Sequence, residues 1–277
     1  MSNVWTVEEP QRLSIDAAVD RVDVNLVSGR VNLVGGEDGP ARVDVTRAGR
    51  TPVIVEVVDR TLVIRHHRMP RFPGVLWWIG QLRRRFRVEV SIGVPRATGA
   101  YVRLVDGAVV AAGLRTDTDV ELTSGRITLM GLGGRTRAKV VAGPVEALGV
   151  DGDLSLKTVS GELVLADSAA DRVEMSTVSG SVTCDLDNPH HRELRLHATS
   201  GSVTVRVRED ADLAVDLHTQ SGQITSAFPQ LATERHGSSQ HRRGQLGGGT
   251  GKLWATTVSG SIALLARPVD DGGETPA

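Results

Sequence analysis

A Ser-Gly pair followed, one residue later, by Val, Ile or Leu recurs along this chain about every twenty residues, and few folds satisfy such a period. It stands at Ser28-Gly29-Arg30-Val31, Ser124-Gly125-Arg126-Ile127, Ser160-Gly161-Glu162-Leu163 and Ser179-Gly180-Ser181-Val182. It returns at Ser200-Gly201-Ser202-Val203, Ser221-Gly222-Gln223-Ile224 and Ser259-Gly260-Ser261-Ile262, with degenerate copies at Asp106-Gly107-Ala108-Val109 and Ala142-Gly143-Pro144-Val145. From Gly107 the glycine spacings are 18, 18, 18, 19, 21, 21 and then 38. The last is close to twice the others, so the stretch 226–251 is either a long loop or a degenerate coil.

A period near twenty points to a solenoid. The flanks alternate in polarity, as in Glu193-Leu194-Arg195-Leu196-His197 and Val203-Thr204-Val205-Arg206-Val207, which marks strands with one face buried. Composition agrees: 39 valines and 31 glycines against eight aromatic residues favour strands and turns over helices. Like strands of successive coils then stack in parallel at ~4.8 Å, and no coil buries its apolar face alone. The recurring glycine fits a turn that needs positive φ or close backbone approach. This assigns Gly125, Gly161, Gly180, Gly201, Gly222 and Gly260 as structural turn residues. Thr158, Thr177 and Thr257, two positions before the serine, form a candidate ladder across coils. An 18-residue period also suits the left-handed helix of hexapeptide acyltransferases. The drift to 21 and the lack of a six-residue sub-period argue against it.

The segments Lys157-Thr158-Val159-Ser160-Gly161, Ser176-Thr177-Val178-Ser179-Gly180 and Thr256-Thr257-Val258-Ser259-Gly260 resemble a bacterial β-strand-repeat family of unknown function known as "putative adhesin" domains. The ending strengthens the resemblance: Ala227-Phe228-Pro229, a polar Gly-rich stretch, then Leu253-Trp254-Ala255 leading into the last repeat. It covers 88–266 well and the first 64 residues loosely. It implies an all-β fold, a right-handed, single-stranded parallel β-helix of about 18–21 residues per coil. It implies no established reaction, no catalytic residues and no cofactor. Some members are linked to cell-envelope stress.

Further alternating strands are expected at 21–26, 31–34, 42–46, 53–58 and 62–64, as an opening cap or early coils. The expected organisation is one β-solenoid domain over 1–267. It comprises N-terminal strands and cap (1–64), a basic-aromatic insertion (65–87) and regular coils (88–267). A disordered tail follows at 268–277.

The insertion is the one place where charge and aromatic content concentrate. It holds seven arginines and no acid, plus Phe72, Trp77, Trp78 and Phe86. The chain has net charge −1, so the remainder carries −8, which opposes nucleic acid. Three roles fit the segment. One is docking on an anionic membrane surface, with Leu76, Trp77, Trp78 and Ile79 at the headgroup boundary and Arg83, Arg84, Arg85 and Arg87 on phosphates. The second is contact with an unknown protein partner through the same residues together with Arg71, Phe72 and Phe86. The third is a structural cover over a solenoid edge. Self-association through coil ends is a further possibility.

Motifs for chemistry are weak. Gly249-Thr250-Gly251-Lys252 resembles a P-loop, but Leu246 and Leu253 stand where it needs Gly and Ser or Thr. His190 and His191 follow Asp185, Asp187 and Asn188 in a loop without a ligand set for metal. Lone Cys184, even with His197 near it in sequence, fits a small buried hydrophobe better than a Cys/His pair. It also excludes an intramolecular disulfide. His218 and His241 belong to no recognisable pattern. Some β-helices are carbohydrate-active lyases or hydrolases, which need paired carboxylates and sugar-stacking aromatics. Asp151, Asp153, Asp167 and Asp171 fit turns, and no aromatic lies between Tyr101 and Phe228, so the central coils offer no sugar platform. The expected function is thus a non-catalytic scaffold or binding module without cofactor or metal, with a carbohydrate-active enzyme as the alternative. With Glu8 and Glu9 where a signal peptide would be apolar, the expected location is the cytoplasm, including the inner membrane surface.

Overall fold

The computed structural model describes residues 4–37, 39–67, 86–186 and 193–268, and every regular element in them is a strand. The fold is an all-β parallel solenoid. The chain divides into two compact units, Met1–Thr158 and Val159–Ala277.

In the first unit, strands β3 (Arg21–Gly36), β8 (Gly99–Ala112), β9 (Thr118–Met130), β10 (Arg135–Ala142) and β11 (Val145–Leu148) carry the regular coils. Val102 pairs with Val120 and Val120 with Ala138, and Val109 pairs with Ile127 and Ile127 with Val145. Each step is 18 residues, so the sequence period is the coil. Alternation places every second side chain inside, where Leu104, Leu122, Ile127, Leu129, Leu114 and Leu132 are buried. Each such Leu or Ile contributes on the order of 1.5–3 kcal/mol.

Stack order departs from chain order at the start. A coil made of β6 (Thr61–His66) and β7 (Arg87–Pro95) pairs with one side of β3, and β8 pairs with the other. The first coil in sequence is therefore the second in space. Antiparallel strands cap the outer coil. β4 (Ala41–Arg47) lies on β7 and β2 (Gln11–Ile15) on β4, while β5 (Val53–Val58) lies on β6 and β1 (Val4–Val7) on β5. Of the strands expected near the N-terminus, 21–36 is a full coil and 41–58 is cap.

The second unit repeats this device at its end. Strands β13 (Leu163–Ser168) and β15 (Val182–Leu186) are in register, as are β14 (Arg172–Ser179) and β16 (Glu193–Ser200), and β15 and β17 (Val203–Arg208). The coil of β22 (Gly251–Ser259) and β23 (Ile262–Arg267) then inserts between the coil of β16 and β17 and that of β18 (Leu213–Ser221) and β19 (Ile224–Ser226). The residues between are neither a loop nor a worn coil. They form an antiparallel hairpin, β20 (Ala232–His236) and β21 (Ser239–Leu246), with β21 paired to β18. The long glycine interval records a chain that passes one coil, turns back through the hairpin and fills the gap. All five β20 residues are exposed, and Glu234 and Arg235 give that edge charge that discourages further pairing.

The serine-glycine corners stack in the same spatial order. A Cβ on Gly125 would lie 1.7 Å from the carbonyl oxygen of Gly107, and one on Gly180 would lie 1.9 Å from that of Gly161. φ is +133° at Gly125 and +155° at Gly180. Gly222 lacks the positive φ of the other corners, yet a Cβ there would meet the Gly260 carbonyl oxygen at 1.9 Å, so close approach alone demands glycine. Of the three threonines expected as a ladder, Thr158 and Thr257 donate to glycine carbonyls, as does Thr219, whereas the Thr177 hydroxyl is buried without a hydrogen-bond partner among the described residues. Thr219 Oγ1 reaches Gly260 O at 3.0 Å, Thr257 reaches Gly201 at 3.3 Å and Thr158 reaches Gly143 at 3.4 Å.

Candidate functional site

Arg71, Phe72, Leu76, Trp77, Trp78, Ile79, Arg83, Arg84 and Arg85 lie outside the described residues. The points where their segment joins the fold are described. Asn25 pairs with Arg65, and Ser28 with Arg87, so the chain leaves β6 and re-enters at β7 on either side of the Ser28-Gly29 corner of β3. Phe86, expected on the contact surface, is buried. Its ring meets His66 edge-on with centroids 5.1 Å apart. Arg87 is exposed. His66 Nδ1 accepts a hydrogen bond from Val27 N at 3.2 Å, and burial lowers the His66 pKa to about 4 against a smaller opposing pull from the Phe86 backbone. The imidazole is therefore neutral at pH 7 with its proton on Nε2. Sequence alone left His66 among a basic run; its inward phase on β6 is the signal that separates it from His67.

A second cluster was hidden by chain order. Inserting β22 between β16 and β18 sets Trp254 on an outward sheet face, in register with Arg195 on one side and Asp216 on the other. The indole is half-buried, with the Arg195 guanidinium 5.2 Å and the Lys252 ammonium 5.6 Å from a ring centroid. Such contacts fix the ring and contribute about 0.5–1 kcal/mol each at exposed sites. In the next outward row stand Ser176, His197, Thr256, His218 and His241. His241 Nε2 lies 2.8 Å from Asp216 Oδ1, and its ring meets that of His218 edge-on at 5.7 Å. An open recess of about 500 Å³ lies over Glu174, Ser176, Arg195, His197, Trp254 and Thr256. The coils between Tyr101 and Phe228 hold no aromatic residue of their own, but the insertion of β22 sets Trp254 beside Arg195 of one of them, because sequence position does not give stack position. The alternation Lys252, Trp254, Thr256 against buried Leu253, Ala255 and Thr257 does announce that Trp254 faces outward.

The remaining candidates resolve into structure. The Gly249-Thr250 turn is held by Asp212, whose carboxylate accepts from Thr250 N at 3.2 Å and Thr250 Oγ1 at 2.7 Å. These bonds from Thr250 hold the acid below its usual range, and they place an anion where a P-loop would receive phosphate. Cys184 points inward and His197 outward, so the two do not pair, and burial pushes the thiol far up. Asp151 bonds Arg115 at 3.0 Å, and Asp167 adopts φ +49° at a register irregularity near the end of β13 rather than in a turn. Among the described residues, no group of three or more His, Cys, Asp or Glu is placed to hold a metal ion.

Solved structures of similar arrangement include a "putative adhesin" from Bacteroides fragilis NCTC 9343, 15% identical, covering 96% of each chain with a TM-score of 0.47. Another is a "putative cell adhesion protein" from Clostridium sporogenes ATCC 15579, 12% identical, covering 94% of this chain and 100% of that one, TM-score 0.29. A third, a "putative adhesin" from Parabacteroides distasonis ATCC 8503, is 13% identical, covers 95% and 97%, and has a TM-score of 0.28. Likenesses this distant do not bear on function. No curated protein matches the chain significantly. The Toastrack DUF4097 family model matches residues 19–265, and the chain, with its coils, corners and both capped ends inside or beside that span, belongs to the Toastrack DUF4097 family.

Proposed function

We propose that this Toastrack chain is a non-catalytic binding module that docks on an anionic membrane surface through segment 65–87, at the inner face of the cell envelope. The observation that supports it is how the fold mounts the segment. Arg65 and Arg87 pair with the same strand at Asn25 and Ser28, so both ends are tied to one corner of a rigid stack. A contact element carried on a rigid scaffold loses less freedom on binding than one on a free linker. Its chemistry suits the headgroup boundary. Trp77, Trp78, Leu76 and Ile79 provide interfacial apolar groups, and Arg71, Arg83, Arg84, Arg85 and Arg87 provide charges worth about 1 kcal/mol each near anionic lipid.

The test is flotation of the full chain with vesicles of phosphatidylglycerol and phosphatidylcholine, and of phosphatidylcholine alone, beside a variant with Arg83, Arg84 and Arg85 changed to Glu. The expected result is flotation with the anionic vesicles only, weakened by salt and lost in the variant. Absence of flotation, or flotation indifferent to salt and to the three substitutions, overturns the proposal.

A further inference from the structure

We infer that the outward face around Trp254 is a binding site for a neutral saccharide. The site is built by the return of the chain: β22 enters between β16 and β18 and brings the second unit's one described tryptophan to the middle of a sheet face. A large aromatic ring turned outward contributes little to the core, whose alternate positions on the same strand are Leu253, Ala255 and Thr257. The ring is held in place by Arg195 and Lys252, at 5.2 and 5.6 Å. It thus presents a pre-oriented apolar surface of the kind that the C–H face of a pyranose covers.

The polar groups beside the ring select among ligands. The recess combines donors (Arg195, Ser176, Thr256) with an acceptor (Glu174), and His197 serves as either. Sugar hydroxyls both donate and accept, so they match a mixed set better than a ligand of one polarity does. Charge disfavours polyanions. Arg195 Nη2 lies 2.5 Å from Glu193, Arg243 Nη2 lies 3.8 Å from Asp216, and Lys252 stands in register with Glu193. A nucleic acid or phosphorylated ligand would have to displace these carboxylates before gaining from the cations. The recess is open, about 500 Å³, and spans neighbouring strands, which suits an oligosaccharide lying across them. Nothing in this site depends on segment 65–87, so it stands or falls apart from membrane docking.

The test is a titration of the full chain, ¹⁵N-labelled at tryptophan, with cellohexaose, laminarihexaose, chitohexaose and a ten-residue oligo-dT, each read at the indole N–H resonances. Trp254→Phe assigns the Trp254 signal. The expected result is a saturable shift of that signal with at least one of the three saccharides at millimolar concentration or below. Affinity, measured for wild type and variants alike by isothermal titration calorimetry, should fall at least tenfold in Trp254→Ala and partly recover in Trp254→Tyr. The wild-type titration is decisive even if Trp254→Ala fails to fold. The proposal is overturned if no saccharide moves the Trp254 signal, if oligo-dT alone moves it, or if a folded Trp254→Ala binds as the wild type does.

Discussion

Replacing Gly180 by Ala probes the contact on which the coil stack depends. A Cβ at this position would stand 1.9 Å from the carbonyl oxygen of Gly161, whereas real Cβ atoms do not come within 3.0 Å of such a neighbour. The corner must therefore open by more than 1 Å. Opening acts on the hydrogen bonds that join this corner to its neighbours, Gly161 N to Ser179 O and Gly180 N to Ser200 O, each 3.1 Å. A hydrogen bond lost this way costs about 1 kcal/mol, and more when the donor finds no water. The φ of +155° adds strain of about 1–3 kcal/mol for alanine. Together these give a loss of about 4 kcal/mol, a large share of the roughly 5–15 kcal/mol that a typical protein has. Two controls separate the causes. Gly131 has φ +55° but open space around its would-be Cβ, so Gly131→Ala should cost only about 1–2 kcal/mol. Gly93 has neither constraint, so Gly93→Ala should leave stability unchanged or slightly raised. Equilibrium urea unfolding of the full chain, followed by circular dichroism, measures all three. Gly180→Ala should lower the midpoint by about 1–2 M at ordinary m-values. A midpoint equal to that of Gly131→Ala would refute the view that close stacking, rather than backbone dihedral alone, demands the glycine.

Two further expectations follow from buried polar groups. His66 has a folded pKa of about 4, below its ordinary 6.5, so the folded state resists its protonation. Its contribution is fully present above pH 6.5 and is lost as pH falls towards 4, by up to about 3 kcal/mol. The fall in urea midpoint between pH 7 and pH 4.5 should thus be smaller in His66→Gln than in the wild type, and equal falls would contradict the burial account. Thr219→Val removes the 3.0 Å bond to the Gly260 carbonyl while keeping the buried shape, and should cost about 1 kcal/mol. Thr256→Val, on the outward face of β22, should cost less than half of that. Equal costs for the two threonines, measured by the same unfolding assay, would show that the glycine carbonyls do not need these hydroxyls.

Membrane docking and saccharide binding would place two contacts on separate units of one module. Phe86 and His66 show how the scaffold separates its tasks at the first. They face inward and close the corner, leaving Arg87 exposed beside them. At the second, the core takes Leu253 and Ala255 while the same strand presents Trp254 and Thr256.

Whatever repeats locally was legible in the sequence. The 18-residue step between Val102 and Val120, the alternation along β16 and β17, and the glycine at each corner are dictated within one coil and its immediate neighbour. The inward threonines could be recognised by position, although their glycine-carbonyl partners could not. Only the tertiary structure decided which coil lies beside which. Every coil offers the same parallel backbone ladder and the same in-out pattern, so β22 has strands that pair equally well with several partners. Its place is decided by distant pairings: β21 lies antiparallel along one side of β18, and β22 takes the other side, next to β16. The same holds at the start, where β3 lies between the β6–β7 coil and β8. Trp254 was therefore visible in the sequence as an outward residue. Its neighbours Arg195 and Asp216, and with them the candidate site, come together only because two successive coils, those of β16 and β18, receive the last coil of the chain between them.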